Sequence, residues 1–220
     1  MKRRKNLSPS YDHAISTLFV LLSLILFATF GLAVLFFGEP FLFWQHAFSD
    51  LGDTVTKHGH SNLTSRMIFS AGMIVEGCLM LKISSRYAED RTFRNRTIKR
   101  WLAFLGAIGF LVSIYPNNIN HVIHSVGVGI VIGVLYLFVM IFHFELKPRI
   151  PPRVFYTDMA IIQAAVFSYA VTFFADAASK QVFQKFCIIG IFLALQWSVT
   201  IAEESFEARE LLGFFERWQH

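Results

Sequence analysis

Apolar residues along this chain form long uninterrupted stretches, which are separated by shorter polar segments. A helix that crosses the hydrocarbon core of a bilayer, about 30 Å thick, needs roughly 20 predominantly apolar residues. Six stretches reach or approach that length, so the pattern predicts six transmembrane helices. The predicted helices extend over about Ala14–Phe37, Leu63–Ile83, Ile98–Tyr115, Ile119–Phe144, Tyr156–Ala175 and Val182–Ala202.

The composition agrees with an all-α polytopic membrane helix bundle. Of the 220 residues, 55% are hydrophobic and 16% are charged, whereas soluble domains carry about 25% charged residues. The mean hydropathy of +0.51 leaves no room for a large soluble domain. The 2 Cys and 13 Gly residues exclude disulfide-rich and collagen-like proteins. We therefore expect one six-span transmembrane domain over residues 1–202.

The Lys and Arg residues are distributed unevenly between the two sides of the predicted bundle. The first stretch follows Lys2-Arg3-Arg4-Lys5 but is too long for a signal-peptide core, so we expect a retained anchor. With the N-terminus inside, 16 of the 20 Lys and Arg residues lie on the cytoplasmic side, which predicts that both termini are cytoplasmic. This asymmetry explains the net charge of +5 without a nucleic-acid partner.

Residues 203–220 differ from the rest of the chain and are expected to form a cytoplasmic tail. Their apolar residues recur at helical spacing, opposite acidic residues, which predicts an amphipathic helix on the inner membrane surface. The apolar face of this helix would consist of Leu211, Phe214, Phe215 and Trp218.

Polar and ionisable residues are concentrated on the predicted outer side, which carries five of the eight His residues. His121 and His124 are three residues apart and share one helix face, and Asp50 lies in the one long outer loop. These side chains have the ligand types of a zinc site with an open position or of a His–Asp general base. Alternatively, hydrogen bonds among them hold the loop against the bundle. Further candidate binding residues on this side are His46, Ser49, Asp53 and Asn117.

A second polar layer lies deeper in the predicted membrane region. Glu76, Gln163 and Gln196 occur at similar depth on three predicted helices, and an unpaired Glu in hydrocarbon costs about 2.5 kcal/mol or more. We therefore expect Glu76 to face the bundle interior and to bond to an amide or hydroxyl, with Gln163 and Gln196 as first candidates. Two roles are open for Glu76. It is a ligand-binding or proton-relay group, or it is a neutral carboxyl group whose hydrogen bonds hold the helices together.

Glycines in two predicted helices indicate close helix packing. Gly129 and Gly133 in the fourth helix have the spacing of a small-xxx-small packing face. Gly106 and Gly109 in the third helix are expected to serve the same purpose.

Several short motifs together resemble a known family. In chain order they are Ser49-Asp50-Leu51-Gly52, Asn62 with Ile68-Phe69, Gly106 with Gly109, Tyr115-Pro116-Asn117, and His121 with His124. In this order they resemble the prokaryotic six-span membrane family named domain-of-unknown-function family nine-nine-eight, which is distantly similar to eukaryotic Frag1/DRAM/Sfk1 membrane proteins. The resemblance implies six spans in a prokaryotic cytoplasmic membrane and an outer polar site around Asp50 and His124, but it supplies no reaction. The family usually has Phe-Pro followed by an acidic residue where this chain has Tyr115-Pro116-Asn117-Asn118, which weakens an enzymatic interpretation.

Two main functional hypotheses follow from these features. The first is an integral membrane protein whose outward-facing polar site binds a lipid headgroup, or an accessory subunit with a membrane protein partner. The second is a lipid-directed hydrolase or transferase that uses Asp50, His121 and His124, with zinc as the candidate cofactor. The absence of an evident inverted repeat argues against a third hypothesis, a proton-coupled transporter that uses Glu76.

Overall fold

The structure, a computed structural model, describes the backbone of residues 13–91 and 93–217 and the side chains as far as Ile201. This part of the chain contains six α-helices, one 3-10 helix at Phe48–Gly52, and no β-strand, which confirms the all-α prediction. The α-helices are α1 (His13–Leu35), α2 (Leu63–Glu89), α3 (Arg96–Val112), α4 (His121–Leu146), α5 (Pro152–Phe174) and α6 (Lys180–Arg217).

Five helices are long and apolar enough to cross a membrane, namely α1, α2, α4, α5 and the Lys180–Ile201 part of α6. These five helices support an integral membrane protein. The remaining helix, α3, has 17 residues, a length at the short limit for a span. The count of six spans therefore stays a prediction.

Local sequence signals determine where several helices begin. The Asn120 side chain accepts a hydrogen bond from the backbone N–H of Ile123 at 3.1 Å and so caps the start of α4. Pro152 is the first residue of α5, a position where the missing N–H of proline costs nothing. Asn95, which precedes α3, has a left-handed backbone with φ of 53°, a conformation that Asn tolerates better than most residues.

The helices form a ring of five, with the remaining helix outside it. Along the ring, α1 contacts α2, α2 contacts α3, α3 contacts α4, α4 contacts α6, and α6 returns to α1. α5 packs against α6 from outside, and only Phe155 and Ile162 of α5 are buried. Inside the ring, Phe19 of α1 meets Phe138 of α4 edge to face, with ring centroids 5.3 Å apart.

The glycines divide into those that allow close helix contact and those that do not. Gly106 faces the side chain of Met80 on α2, and Gly109 faces Ile130 on α4, with no room for a Cβ atom in either place. The packing prediction is therefore confirmed for these two residues. It is wrong for Gly129 and Gly133, because a Cβ atom there would meet nothing within 4 Å.

Residues 36–62 connect α1 to α2 and form the only long loop in the described part of the chain. We call the end of the bundle that carries this loop the loop end.

Two predictions concern residues outside the described part of the chain. The predicted amphipathic face of residues 203–220 is one of them, because the structure does not describe these side chains. The N-terminal basic cluster, Lys2 to Lys5, also lies outside the described residues.

Candidate functional site

Asn62 is the hydrogen-bonding centre of the 36–62 loop. Its buried side chain accepts a bond from the N–H of Gly38 at 3.3 Å and donates to the carbonyl oxygens of Asp50, Leu51 and Asp53 at 3.3, 3.3 and 3.0 Å. One amide at the end of the loop therefore bonds both to its start, at Gly38, and to the region of the 3-10 helix. This network gives the 3-10 helix a fixed position at the start of α2.

Lys185 of α6 anchors the same loop to the opposite side of the ring. Its side chain is fully buried, and its ammonium donates to the carbonyl oxygens of Phe43 at 2.6 Å, of His46, and of Gln181 at 3.2 Å. The ammonium also lies 4.6 Å from the centroid of the Phe43 ring, a favourable cation–π geometry. The sequence analysis did not single out this lysine. The cost of a charge inside an apolar stretch was the available signal that it had partners.

Asp50 serves mainly to organise the loop. Its Oδ2 atom accepts a hydrogen bond from the N–H of Ala47 at 3.0 Å and lies 3.6 Å from Nδ1 of His46 and 3.5 Å from Nζ of Lys57. His46 is buried, and its Nε2 atom lies 3.5 Å from Glu39. Burial lowers the pKa of His46, and the nearby Lys57 charge adds to this effect.

Asp53 joins the loop to the turn between α3 and α4. Its Oδ1 atom accepts a hydrogen bond from the N–H of Asn118 at 2.9 Å, and the Asn118 side chain bonds to the N–H and the hydroxyl of Thr54 at 3.1 and 2.7 Å. Burial raises the pKa of Asp53 to about 6, although the bond from Asn118 acts in the opposite direction.

His121 and His124 share a helix face but have different surroundings. His124 is buried, and its Nδ1 atom lies 2.8 Å from the carbonyl oxygen of Tyr115, to which it donates. Its Nε2 atom has no hydrogen-bond partner in the described part of the structure. His121 is exposed and its Nδ1 atom lies 2.6 Å from Oδ1 of Asn117.

The structure therefore does not join Asp50, His121 and His124 through hydrogen bonds. Asp50 interacts with His46 and Lys57, whereas each histidine of α4 bonds to the turn that precedes it. Among the described residues, no three His, Cys, Asp or Glu side chains are close enough to hold a metal ion together. The zinc ligand set expected from these three residues is not formed.

Glu76 is fully buried, as expected, but it does not bond to an amide. Neither of its carboxyl oxygens has a hydrogen-bond partner among the described residues. Gln196 donates instead to the carbonyl oxygen of Phe19 at 3.0 Å and to Ser23 at 2.5 Å. Gln163 bonds to the hydroxyl of Tyr136. The expected pairing is wrong because α6 turns Gln196 towards α1, while Gln163 lies on α5, outside the ring.

A cavity lies inside the ring, in the half next to the 36–62 loop. Its volume is about 50 Å³, measured as the space open to the centre of a water molecule, and one water needs about 10–15 Å³ on that measure. Most of its lining is apolar, and polar side chains occur only among the lining residues at the loop end. These are Ser49 of the 3-10 helix, Ser113 at the end of α3, and Gln184 near the start of α6.

The 3-10 helix forms the roof of this cavity. Phe48 and Ser49 line it, and the N–H of Phe48 donates to Oε1 of Gln184 at 3.1 Å. The loop that contains the sequence-predicted polar residues therefore encloses an apolar space between the helices. Sequence reasoning missed this cavity, because its lining residues come from five α-helices and have ordinary apolar side chains.

Comparison with known proteins gives no relative for this chain. No family model, no curated protein and no solved structure matches it. The functional argument therefore depends on the geometry of the loop and the cavity.

Proposed function

We propose that this integral membrane protein binds a membrane lipid at its loop end. The lipid headgroup contacts the polar surface formed by the 36–62 loop and the turn between α3 and α4, and part of the lipid chain lies in the central cavity. The observation that carries the proposal is the apolar cavity directly beneath the polar loop. A lipid has the same division between a polar group and an adjoining apolar chain.

The physical setting of the cavity favours an alkyl chain as its occupant. A largely apolar cavity gains from an apolar occupant. Four of the five lining α-helices, namely α1, α2, α4 and the Lys180–Ile201 part of α6, are long and apolar enough for a bilayer, where lipid chains are the surrounding solvent. The cavity is about four water volumes in size, which is enough for a segment of one chain but too little for two.

The headgroup surface supplies hydrogen-bond donors at the loop end. The side chains of Lys57 and His58 are 48% and 75% exposed, and His60 and His121 are exposed as well. Ammonium and imidazole groups suit the oxygen atoms of a phosphate headgroup. By the distribution of basic residues we place this surface on the outer side of a prokaryotic cytoplasmic membrane, with both termini inside.

The enzymatic alternative has less support in the geometry. A nucleophile or an activated water would need a base within hydrogen-bond reach, and Asp50, His121 and His124 bond to separate partners. The resemblance to the six-span family remains part of the proposal, because it implies the same outer polar region without a reaction.

Native mass spectrometry of the purified protein tests this function. After incubation with vesicles of phosphatidylethanolamine and phosphatidylglycerol, we expect the wild-type protein to retain phospholipid. The double variant Lys57→Ala/His58→Ala should retain at least fivefold less phosphatidylglycerol, while Lys180→Ala, at the same end of the bundle, serves as the charge control. Wild-type protein that carries no lipid, or equal loss in the control, would contradict the proposal.

A further inference from the structure

His143 is a fully buried histidine near the end of α4 that lies opposite the loop end, which we call the far end. Its Nδ1 atom lies 3.0 Å from the carbonyl oxygen of Val139 and 3.1 Å from Oγ of Ser198 on α6. The Ser198 hydroxyl itself donates to the carbonyl oxygen of Ala194 at 2.7 Å. Both neighbours of Nδ1 are therefore acceptors, and Nδ1 carries the hydrogen. In the neutral ring the lone pair is then on Nε2, which has no hydrogen-bond partner in the described part of the chain.

Asp158 of α5 is a second acceptor near this ring. Its Oδ2 atom is buried and also has no hydrogen-bond partner among the described residues. Phe155, three residues earlier, has its ring centroid 6.5 Å from that of His143, and residues at this spacing share a helix face. The Asp158 carboxylate is close enough for its charge to act on the imidazole. Two acceptors without donors therefore lie in one region between α4 and α5.

Asp158 is also the counter-charge available to a protonated His143. Among the described residues, no other charged group acts on this ring, and α6 contributes the uncharged side chains of Ser198 and Trp197, whose ring centroid lies 5.4 Å away. The other charged side chains near the far end of α4 have partners of their own. They are Lys147, whose ammonium lies 5.2 Å from the centroid of the Phe155 ring, and Glu145 with Lys99 of α3, which form an ion pair at 2.6 Å.

One proton changes the energetics of both groups. Buried acceptors without donors are costly, and a carboxylate within a membrane-spanning helix needs a partner charge. A proton on Nε2 of His143 turns the lone pair into a donor and gives the ring the positive charge that balances Asp158. No direct hydrogen bond joins the two side chains, so a single water molecule would carry the bond between them.

The same region fastens α5 to the ring of helices. α5 packs outside the ring, and Phe155, which contacts the His143 ring, is one of its two buried residues. A second contact lies nearer the middle of the helix, where the hydroxyl of Tyr136 bonds to Oε1 of Gln163 at 2.8 Å. The attachment of the far end of α5 therefore depends on the surroundings of His143.

We propose that His143 and Asp158 form a proton-binding site at the far end of the bundle. One proton, bound at Nε2 of His143 and balanced by the Asp158 carboxylate, fastens α5 to α4, and its release loosens this end of α5. Asp158 is partly exposed, so the site exchanges its proton with the adjoining solution. The site lies at the opposite end from the 36–62 loop, and the inference does not rest on the proposed lipid binding.

Nitrogen-15 NMR of the histidine rings tests the site on the full-length protein in detergent, and the His143 signals are those missing from His143→Gln. We expect the wild-type ring to change from neutral to cationic between pH 8 and pH 5. Asp158→Asn should lower the proton affinity of the ring at least tenfold, because the counter-charge is gone. Asp176→Asn, which removes an exposed carboxylate at the loop end, is the charge control and should leave the titration unchanged. A ring that stays neutral down to pH 5, or the same titration in Asp158→Asn as in wild type, would overturn the proposal.

Hydrogen exchange of the wild-type protein tests the consequence for α5 and does not depend on the folding of a variant. After correction for the intrinsic effect of pH on exchange, the amides of residues 153–160 should exchange at least fivefold more slowly at pH 5.5 than at pH 8. Residues 168–174, at the loop end of the same helix, are the internal comparison and should not show this change. Exchange of residues 153–160 that is independent of pH would overturn the inference that a bound proton fastens α5.

Discussion

Asp53 shows how burial of one side chain makes the loop sensitive to pH. Its carboxylate holds the turn between α3 and α4 through the N–H of Asn118, yet burial raises its pKa from 3.8 to about 6. The folded state therefore binds this proton more readily than the unfolded state does. The contribution of Asp53 to stability is greatest below pH 4 and is lost as the pH rises through about 6.

We predict that Asp53→Asn stabilises the protein at pH 7.5 by about 1 kcal/mol, because the amide oxygen accepts the same bond without a buried charge. Thermal unfolding in detergent at pH 4.5 and 7.5 measures this. The gain over wild type should be largest at pH 7.5 and mostly absent at pH 4.5, where the Asp53 carboxyl of the folded protein is already protonated. Asp176→Asn is the control, because Asp176 is exposed and its hydrogen bond with Lys180 lowers its pKa. A gain of equal size in the control would contradict the explanation.

Two glycines of α4 should respond to alanine in opposite directions. At Gly127 a Cβ atom would overlap the backbone of Ser113, directly after α3, so we expect Gly127→Ala to destabilise the protein by about 2 kcal/mol. At Gly129 the space is open, and alanine should stabilise the helix by up to about 1 kcal/mol. Chemical denaturation of both variants measures the difference, and effects of the same sign would be inconsistent with the packing described here.

At the scale of single residues, the sequence identified the unusual side chains better than their partners. The sequence singled out Glu76 as a buried polar group and His124 as a candidate site residue, and both side chains are buried. Their partners depend on helix rotation, which residue spacing does not determine. Gln196, for example, bonds to α1 rather than to Glu76. The same limit applies to glycine, since Gly109 and Gly129 differ only in what the neighbouring helix places opposite them.

Among the structural elements, the 36–62 loop is the one held by residues far away in the chain, of which Lys185 is fully buried. Lys185 contacts carbonyl groups of Phe43 and His46, more than a hundred residues earlier in the chain. Without the ammonium these carbonyl groups lose their donor. The loop that covers the cavity would then lose this connection to α6.

We predict that Lys185→Met destabilises the protein by about 3 kcal/mol, because several charge-assisted hydrogen bonds are lost at once. Hydrogen exchange of the amides in residues 36–62 should accelerate at least tenfold. Lys180→Met provides the control, since Lys180 pairs with Asp176, whose side chain is 84% exposed, and exposed pairs contribute 0–1 kcal/mol. Unchanged exchange in Lys185→Met would show that the loop is held by other contacts.

The helices were predictable from the sequence, whereas the loop was not. Long apolar stretches predicted all six α-helices, because burial of backbone polar groups in lipid requires helix formation. The loop has no such periodic pattern. Its structure depends on Asn62 and Lys185, whose buried side chains satisfy backbone carbonyl groups, and sequence patterns do not reveal such contacts.

At the scale of the whole molecule, orientation in the membrane is the first property to establish. We predict that, in a variant without native cysteines, His60→Cys is labelled by a membrane-impermeant maleimide in intact cells and Arg94→Cys is not. Both residues are exposed, so access from the outside is the only difference tested. Labelling of Arg94→Cys in intact cells would reverse the proposed topology.

The central claim is that a lipid chain lies inside the ring of helices, and photo-crosslinking tests it most directly. A phosphatidylglycerol probe with a diazirine at mid-chain should form adducts with the peptides that carry Leu135 and Ile191, which line the cavity and are buried. Exposed residues on the outer surface of α5, such as Phe167 and Phe174, provide the comparison, because any lipid around the protein reaches them. Adducts at these cavity residues, in addition to those on α5, are the predicted result. Adducts confined to the outer surface of α5 would contradict the account.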